Sequence, residues 1–195
     1  MAERAHHTFT EAPDWLVGEM PPGYQTRLAE IQRLSEDLHA MEAIGRVLWT
    51  SGAPLKEAVH ALATALKCDV SVAAGADQPI TVKLDGSRSL LLYVSASATP
   101  IPKASDELTR VFQAVQLAGA HDRVVLVANN DPATPPTERA DPVLPDALTV
   151  LQRMGVNVTT TATLFSLWKV SSESPQRVRA ALDRLHAQDG GPFTA

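Results

Sequence analysis

Apolar residues along this chain follow two distinct periods. From Tyr24 onward, Leu28, Ile31, Leu34, Leu38, Met41 and Leu48 recur on a three- and four-residue rhythm, with Ile44 and Val47 beside them and Arg27, Glu30, Arg33, Glu36 and Asp37 between them. That rhythm stacks side chains along one face of a helix and predicts about six helical turns over residues 24–50. Ser51-Gly52-Ala53-Pro54 then ends the helix. Leu55, Val59, Leu62 and Leu66 predict a second helix over about 55–67. The rhythm next shortens to two: Val70 and Val72 alternate in 69–74, and Ile80, Val82 and Leu84 alternate in 80–84. Residues 89–95 hold the nearly unbroken run Leu90-Leu91-Leu92-Tyr93-Val94, as a strand covered on both faces requires. Asp85-Gly86 predicts a hairpin turn between the second and third strands, because both positions tolerate positive φ.

Helix and strand alternate from there on. Ser105 is placed to cap a helix burying Leu108, Val111, Phe112, Val115 and Ala118, with Gly119 as its stop. Residues 123–128 read as a buried strand, and Asn129-Asn130-Asp131-Pro132 as the polar tip where it leaves the sheet. Residues 131–145 carry five of the fourteen prolines and predict a rigid, irregular loop long enough to cover something. A helix near 146–154 stopped by Gly155, a strand over 156–161 and a helix through Leu164, Phe165, Leu167 and Trp168 follow. A last helix opens at Ser174-Pro175 and buries Val178, Leu182 and Leu185. The order is helix, three strands, helix, strand, helix, strand, helices, without an internal repeat. Three segments result: an irregular stretch 1–23, a long amphipathic helix 24–50, and an α/β domain 51–195.

Composition narrows the function. At 195 residues and 45% hydrophobic content the chain can bury one substantial core. A net charge of −5 argues against a broad basic face for nucleic acid, where phosphate neutralisation dominates affinity. Cys68 is the single cysteine and cannot form an internal disulfide. The N-terminal residues lack a charged-then-apolar signal pattern and no apolar run reaches membrane-spanning length, so a cytoplasmic location without a membrane partner is the expectation. His6 and His7 are adjacent in a polar terminal segment, a pattern commoner in terminal tails than in metal sites.

The order of elements resembles the restriction-endonuclease-like fold of the PD-(D/E)xK nuclease superfamily over Leu55 to about Leu167. Its core is a helix, a three-stranded meander, a crossover helix and further strands and helices, here with a long N-terminal helix in front. The stretch Arg46-Val47-Leu48-Trp49-Thr50-Ser51-Gly52 followed by Leu55-Lys56-Glu57-Ala58-Val59 is similar to one found in bacterial and archaeal members. So are Val125-Leu126-Val127-Ala128-Asn129-Asn130 with Glu138-Arg139, and Thr160-Thr161-Ala162-Thr163-Leu164-Phe165. The resemblance implies an acidic residue near the second strand and an acidic-x-lysine triplet on the third. There two carboxylates hold Mg²⁺ and the lysine positions or activates water. If Val94 is the middle of that triplet, Tyr93 stands for the carboxylate and Ser95 for the lysine. Asp77 matches the first acidic position, and Asp85 is the other carboxylate in reach, although it reads better as hairpin-turn chemistry. Lys56 occupies the helix position where relatives often carry glutamate, and Glu57, one residue on, is turned about 100° away.

No Gly-x-Ser-x-Gly, no Gly-x-Gly-x-x-Gly and no phosphate-cradling Gly-x-x-x-x-Gly-Lys occurs. The expectation is therefore a degenerate nuclease fold without catalysis, metal or cofactor. It would act through protein contacts as a self-associating scaffold, with Leu28, Ile31, Leu34, Leu38, Met41 and Leu48 as the association face. A nucleic-acid-binding protein with or without residual nuclease activity, using Asp77, Lys83, Arg88 and Lys103, is the rival. A small-molecule or nucleotide sensor with a pocket under the 131–145 loop is a third reading. Lys169, Arg177, Arg179 and Arg184 fit either a small positive surface or a solvated helix face, and Thr159, Thr160, Thr161 and Thr163 either a strand and its exit or a pocket lining.

Overall fold

Short links between strands permit antiparallel pairing, whereas parallel neighbours need a crossover, and this chain uses both. The computed structural model describes residues 16–72, 78–95, 97 and 99–194. Its strands are β1 (Asp69–Val72), β2 (Ile80–Lys83), β3 (Ser89–Ser95), β4 (Asp122–Ala128), β5 (Asn157–Thr160) and β6 (Gly191–Pro192), in one sheet of that spatial order. β1, β2 and β3 form an antiparallel meander, with Ile80 opposite Leu92. β3, β4, β5 and β6 are parallel to one another. The helices are α1 (Leu16–Glu19), α2 (Tyr24–Gly45), α3 (Gly52–Ala65), α4 (Asp106–Leu117), α5 (Pro145–Arg153), α6 (Thr161–Ser171) and α7 (Pro175–Ala187). This is the α/β arrangement expected from the sequence, long N-terminal helix included.

Strand alternation sends side chains to two cores. Val125 and Val127 of β4 join Leu90, Leu92, Ile80 and Val82 in a cluster with Leu55, Val59 and Leu62 of α3, Leu164 and Leu167 of α6, and Leu182 and Leu185 of α7. Val124 and Leu126 point the other way, into a cluster with Leu108 and Val111 of α4 and Ala147 and Leu151 of α5. Every residue from Val124 to Ala128 is buried, which is why this strand reads as an unbroken apolar run.

The chain divides into two compact units, residues 1–41 and 42–195. In the first, Leu28, Ile31, Leu34, Leu38 and Met41 of α2 are all exposed, the last four by 52–56%. In the second, Ile44 and Val47 enter the core and Leu48 packs against it. The α-helix ends at Gly45, and Arg46–Leu48 tighten into a 3-10 turn. The predicted helix over 24–50 is therefore shorter, and Leu48 belongs to the packed core instead of extending the exposed stripe.

Several local expectations change for identifiable reasons. Ser105 caps α4 as expected, its Oγ accepting from the Leu108 N–H, but Phe112 is 51% exposed and Ala114 takes the buried position. Pro54 stands inside the first turn of α3, where its missing N–H costs nothing. In the hairpin, neither Asp85 nor Gly86 adopts positive φ. The turn instead spans residues 85–87, closed by the Leu84 N–H donating to the Arg88 carbonyl. The Asp85 carboxylate organises it by accepting from the Ser87 and Arg88 N–H groups and from the Arg88 guanidinium. β6 was not legible as a strand, since it is only Gly191-Pro192. Gly190, at φ +83°, passes so close that a Cβ would stand 2.7 Å from the Gln152 carbonyl oxygen.

Two stability outcomes follow. Leu126→Ala, at a fully buried site in β4, should cost about 2–5 kcal/mol in chemical denaturation. The hydrogen bonds from Arg88 and Ser87 hold the Asp85 carboxyl well below the usual carboxylate range. A depressed folded-state pKa gives stability that is present above the unfolded pKa and lost as pH falls through the folded one. Thermal melts taken downward from about pH 4 should therefore fall more steeply for the parent chain than for Asp85→Asn.

Candidate functional site at the carboxyl ends of the parallel strands

Open α/β sheets bind ligands beyond the carboxyl ends of their parallel strands, where loops diverge and backbone groups run out of partners. Here β3, β4 and β5 all end at one edge. Tyr93 pairs in register with Leu126, and Ser95 with Ala128. Two residues apart on β3, Tyr93 and Ser95 share one face. Tyr93 is half-buried against the cluster formed with α4 and α5. Ser95 is buried, and its hydroxyl has no hydrogen-bond partner. Its carbonyl accepts from the Asn129 N–H at 2.9 Å. Asp77 lies outside the described residues. Lys56 of α3 is half-buried and Glu57 exposed.

The two β3 side chains are a phenol and an alkyl hydroxyl. A divalent cation of the Mg²⁺ type takes carboxylate oxygen, and water activation beside it calls for a base or a cation. Tyr93 and Ser95 supply neither, so this pair does not fit the metal centre that the resemblance implies. Among the described residues no group of three His, Cys, Asp or Glu side chains stands close enough to share a metal ion.

The strand end is instead occupied by a polar clamp. Asn129 and Asn130, expected at the polar tip where the strand leaves the sheet, are 1% and 5% exposed. A buried amide requires partners for both its donor and its acceptor. The Asn129 NH₂ donates to the Thr50 carbonyl at 2.9 Å, and its Oδ1 accepts from the Thr161 hydroxyl at 2.8 Å and from Arg139 Nη1 at 2.7 Å. Arg139 further donates through Nη2 to the Leu48 carbonyl and through Nε to the Thr134 carbonyl. Asn130 donates to the Ala140 carbonyl at 2.7 Å. The link between α2 and α3, the end of β4, the start of α6 and the proline-rich loop are thus joined through one guanidinium and one amide. Burial lowers the Arg139 pKa, the nearby Asp131 carboxylate opposes that shift, and the guanidinium stays charged. The threonines are also committed: Thr160 caps α6 by accepting from the Thr163 N–H, and Thr159 donates to the Phe193 carbonyl.

Sequence reasoning noted Asn129-Asn130 and Arg139 as matched pieces but missed their function as a unit. The available signal was two amides directly after a doubly buried strand, a place where they must find internal partners.

The basic residues of the nucleic-acid reading are partly engaged. Arg88 pairs with Asp85 at 2.6 Å and Asp183 at 3.0 Å, and Lys83 lies 3.7 Å from Asp69. Lys103 is exposed. In α7, Arg179 pairs with Asp183, and Arg184 stands over the Phe193 ring. A groove of about 970 Å³ opens at the opposite end of the strands, lined by Lys67, Cys68, Leu84, Asp85, Arg179 and Leu182 among others. None of its lining residues comes from the 131–145 loop, under which the sensor reading placed its pocket. Burial pushes the Cys68 thiol pKa up, against nucleophilic reactivity.

No family model and no curated protein matches this sequence. Among solved structures, the restriction endonuclease FokI superposes with a TM-score of 0.53 at 12% identity, over 80% of this chain and 31% of that one. The chain therefore has a restriction-endonuclease-like fold and spans about a third of the FokI chain.

Arg139→Lys should lower stability by about 1–3 kcal/mol, because an ammonium cannot reproduce the fork that meets three acceptors. Combined with Asn129→Ala, it should cost less than the sum of the single changes in a denaturation cycle.

Proposed function

We propose that this chain is a non-catalytic assembly module on a restriction-endonuclease-like scaffold, and that it associates with a second copy of itself through α2. The observation that carries this reading is the exposure of Ile31, Leu34, Leu38 and Met41. At about 100° per residue these four fall within roughly a quarter of the helix circumference. An apolar stripe of that kind, rimmed by charged residues, marks an interaction surface. Support for the absence of catalysis comes from Tyr93 and Ser95, which bring no anion and no cation to the strand end where the resemblance calls for both. In this reading the fold has kept its scaffold and lost its chemistry, as a degenerate member of the PD-(D/E)xK superfamily.

A second reading, nucleic-acid binding, draws support from the fold shared with a restriction endonuclease. Against it stand the net charge of −5 and the ion pairs that occupy Arg88 and Lys83. Binding to DNA and RNA measured across salt concentrations separates the two readings. The assembly reading predicts no binding at low salt, and the rival predicts affinity that falls steeply as salt rises.

Self-association is read directly by sedimentation equilibrium or light scattering on the full chain. The average mass should rise with concentration toward that of a dimer, while Leu34→Lys/Leu38→Lys should remain monomeric with an unchanged Tm. A parent chain that stays monomeric throughout would overturn the assembly function. A truncation at Ser51 is a poor control, because it removes Val47 from the core.

A further inference from the structure

Resting on the self-association reading, the charge pattern of α2 assigns the orientation of its partner: we infer that two copies of the helix pair antiparallel. Heptad bookkeeping places Ile31 and Leu38 at a positions and Leu34 and Met41 at d positions. Arg27 then falls at the preceding d position. Glu30 and Asp37 take g positions, and Leu28, Ser35 and Glu42 take e positions. Leu28 therefore flanks the seam instead of lying in it.

A parallel, in-register pair sets each g residue beside the partner's e residue of the next heptad. Asp37 would meet the partner's Glu42, and by symmetry this like-charge contact occurs twice. Glu42 has no ion pair among the described residues to offset it. The same arrangement places Arg27 against the partner's Arg27 within the seam. Both features oppose association.

An antiparallel pair removes the arginine contact and replaces the two acidic contacts by one. Ile31 meets the partner's Met41 and Leu34 meets the partner's Leu38. Each pairing occurs twice, so the four central layers are wholly apolar. Arg27 reaches the level of the partner's Gly45, where there is no side chain to oppose it. The flanks become e against e and g against g, which sets Ser35 near the partner's Ser35 and Leu28 beside the methylenes of the partner's Glu42. Asp37 and the partner's Asp37 approach across the two-fold axis. Both members of this contact carry a counter-charge on their own helix, the Arg33 guanidinium 3.0 Å away, whereas in the parallel contact only Asp37 does and Glu42, among the described residues, does not. Four layers make a small interface, so the dimer is concentration-dependent.

The test uses the full chain in a Cys68→Ser background, with Leu34→Cys and Leu38→Cys made separately on chains of different tag length. The two are mixed, brought to a concentration at which the parent is dimeric, and oxidised with glutathione disulfide. Antiparallel pairing predicts that the dominant covalent product joins one Leu34→Cys chain to one Leu38→Cys chain. A product dominated by Leu34→Cys joined to itself, with dimerisation intact by sedimentation, would overturn the orientation and leave self-association standing. A sedimenting dimer that yields neither product would overturn the orientation by placing the contact elsewhere. A monomeric parent chain would remove the assembly reading itself.

Discussion

The enclosure of β4 between two helical layers is the constraint on which the rest of this molecule depends. Because both faces of Val124–Ala128 are dry, hydrophobic burial holds the strand at the centre of the sheet, with β3 and β5 in parallel register on either side. The same burial creates a difficulty at its carboxyl end, where the chain must turn away while still out of water. Asn129 and Asn130 resolve it. Their amides find carbonyl, hydroxyl and guanidinium partners drawn from three other segments, so a local need for hydrogen bonds becomes a long-range tie.

That tie shapes what the strand end can do. In an open α/β sheet this edge is where a ligand or metal would be held, yet here the polar groups of Asn129, Arg139 and Thr161 are spent on one another and on backbone carbonyls. Ser95 is the one buried side-chain polar atom left unpaired among the described residues, and a lone hydroxyl beside a half-buried Tyr93 has little affinity for a divalent cation. The proposed function therefore shifts to α2, where Ile31, Leu34, Leu38 and Met41 lack the cover that the central strands have.

Much of the fold was legible in the sequence, because its main elements are long enough to show their period. The three-four rhythm of α3, α4 and α7 and the unbroken run in β4 each identify an element and its buried face. Less was legible where tertiary geometry overrides a local pattern. Phe112 fits the buried stripe of α4 but is displaced by Ala114, and Asp85-Gly86 forms its turn through carboxylate hydrogen bonds instead of positive φ. β6 is too short to have a period at all. At the candidate site, the matched positions Tyr93 and Ser95 could be placed on one strand face from sequence spacing. The clamp could not be assembled, because Thr50 and Thr161 lie far in the chain from Asn129 and reach it only through the tertiary fold, while Arg139 reaches it through the irregular loop.

The most direct test of the central claim is incubation of the purified full chain with single- and double-stranded polynucleotides in the presence of Mg²⁺ or Mn²⁺, alongside an Asp77→Ala variant. The account predicts no cleavage by either protein with either metal. Metal-dependent cleavage by the parent chain that disappears in the variant would contradict it, since a strand end bearing a phenol and a hydroxyl would then have supported the chemistry denied to it here.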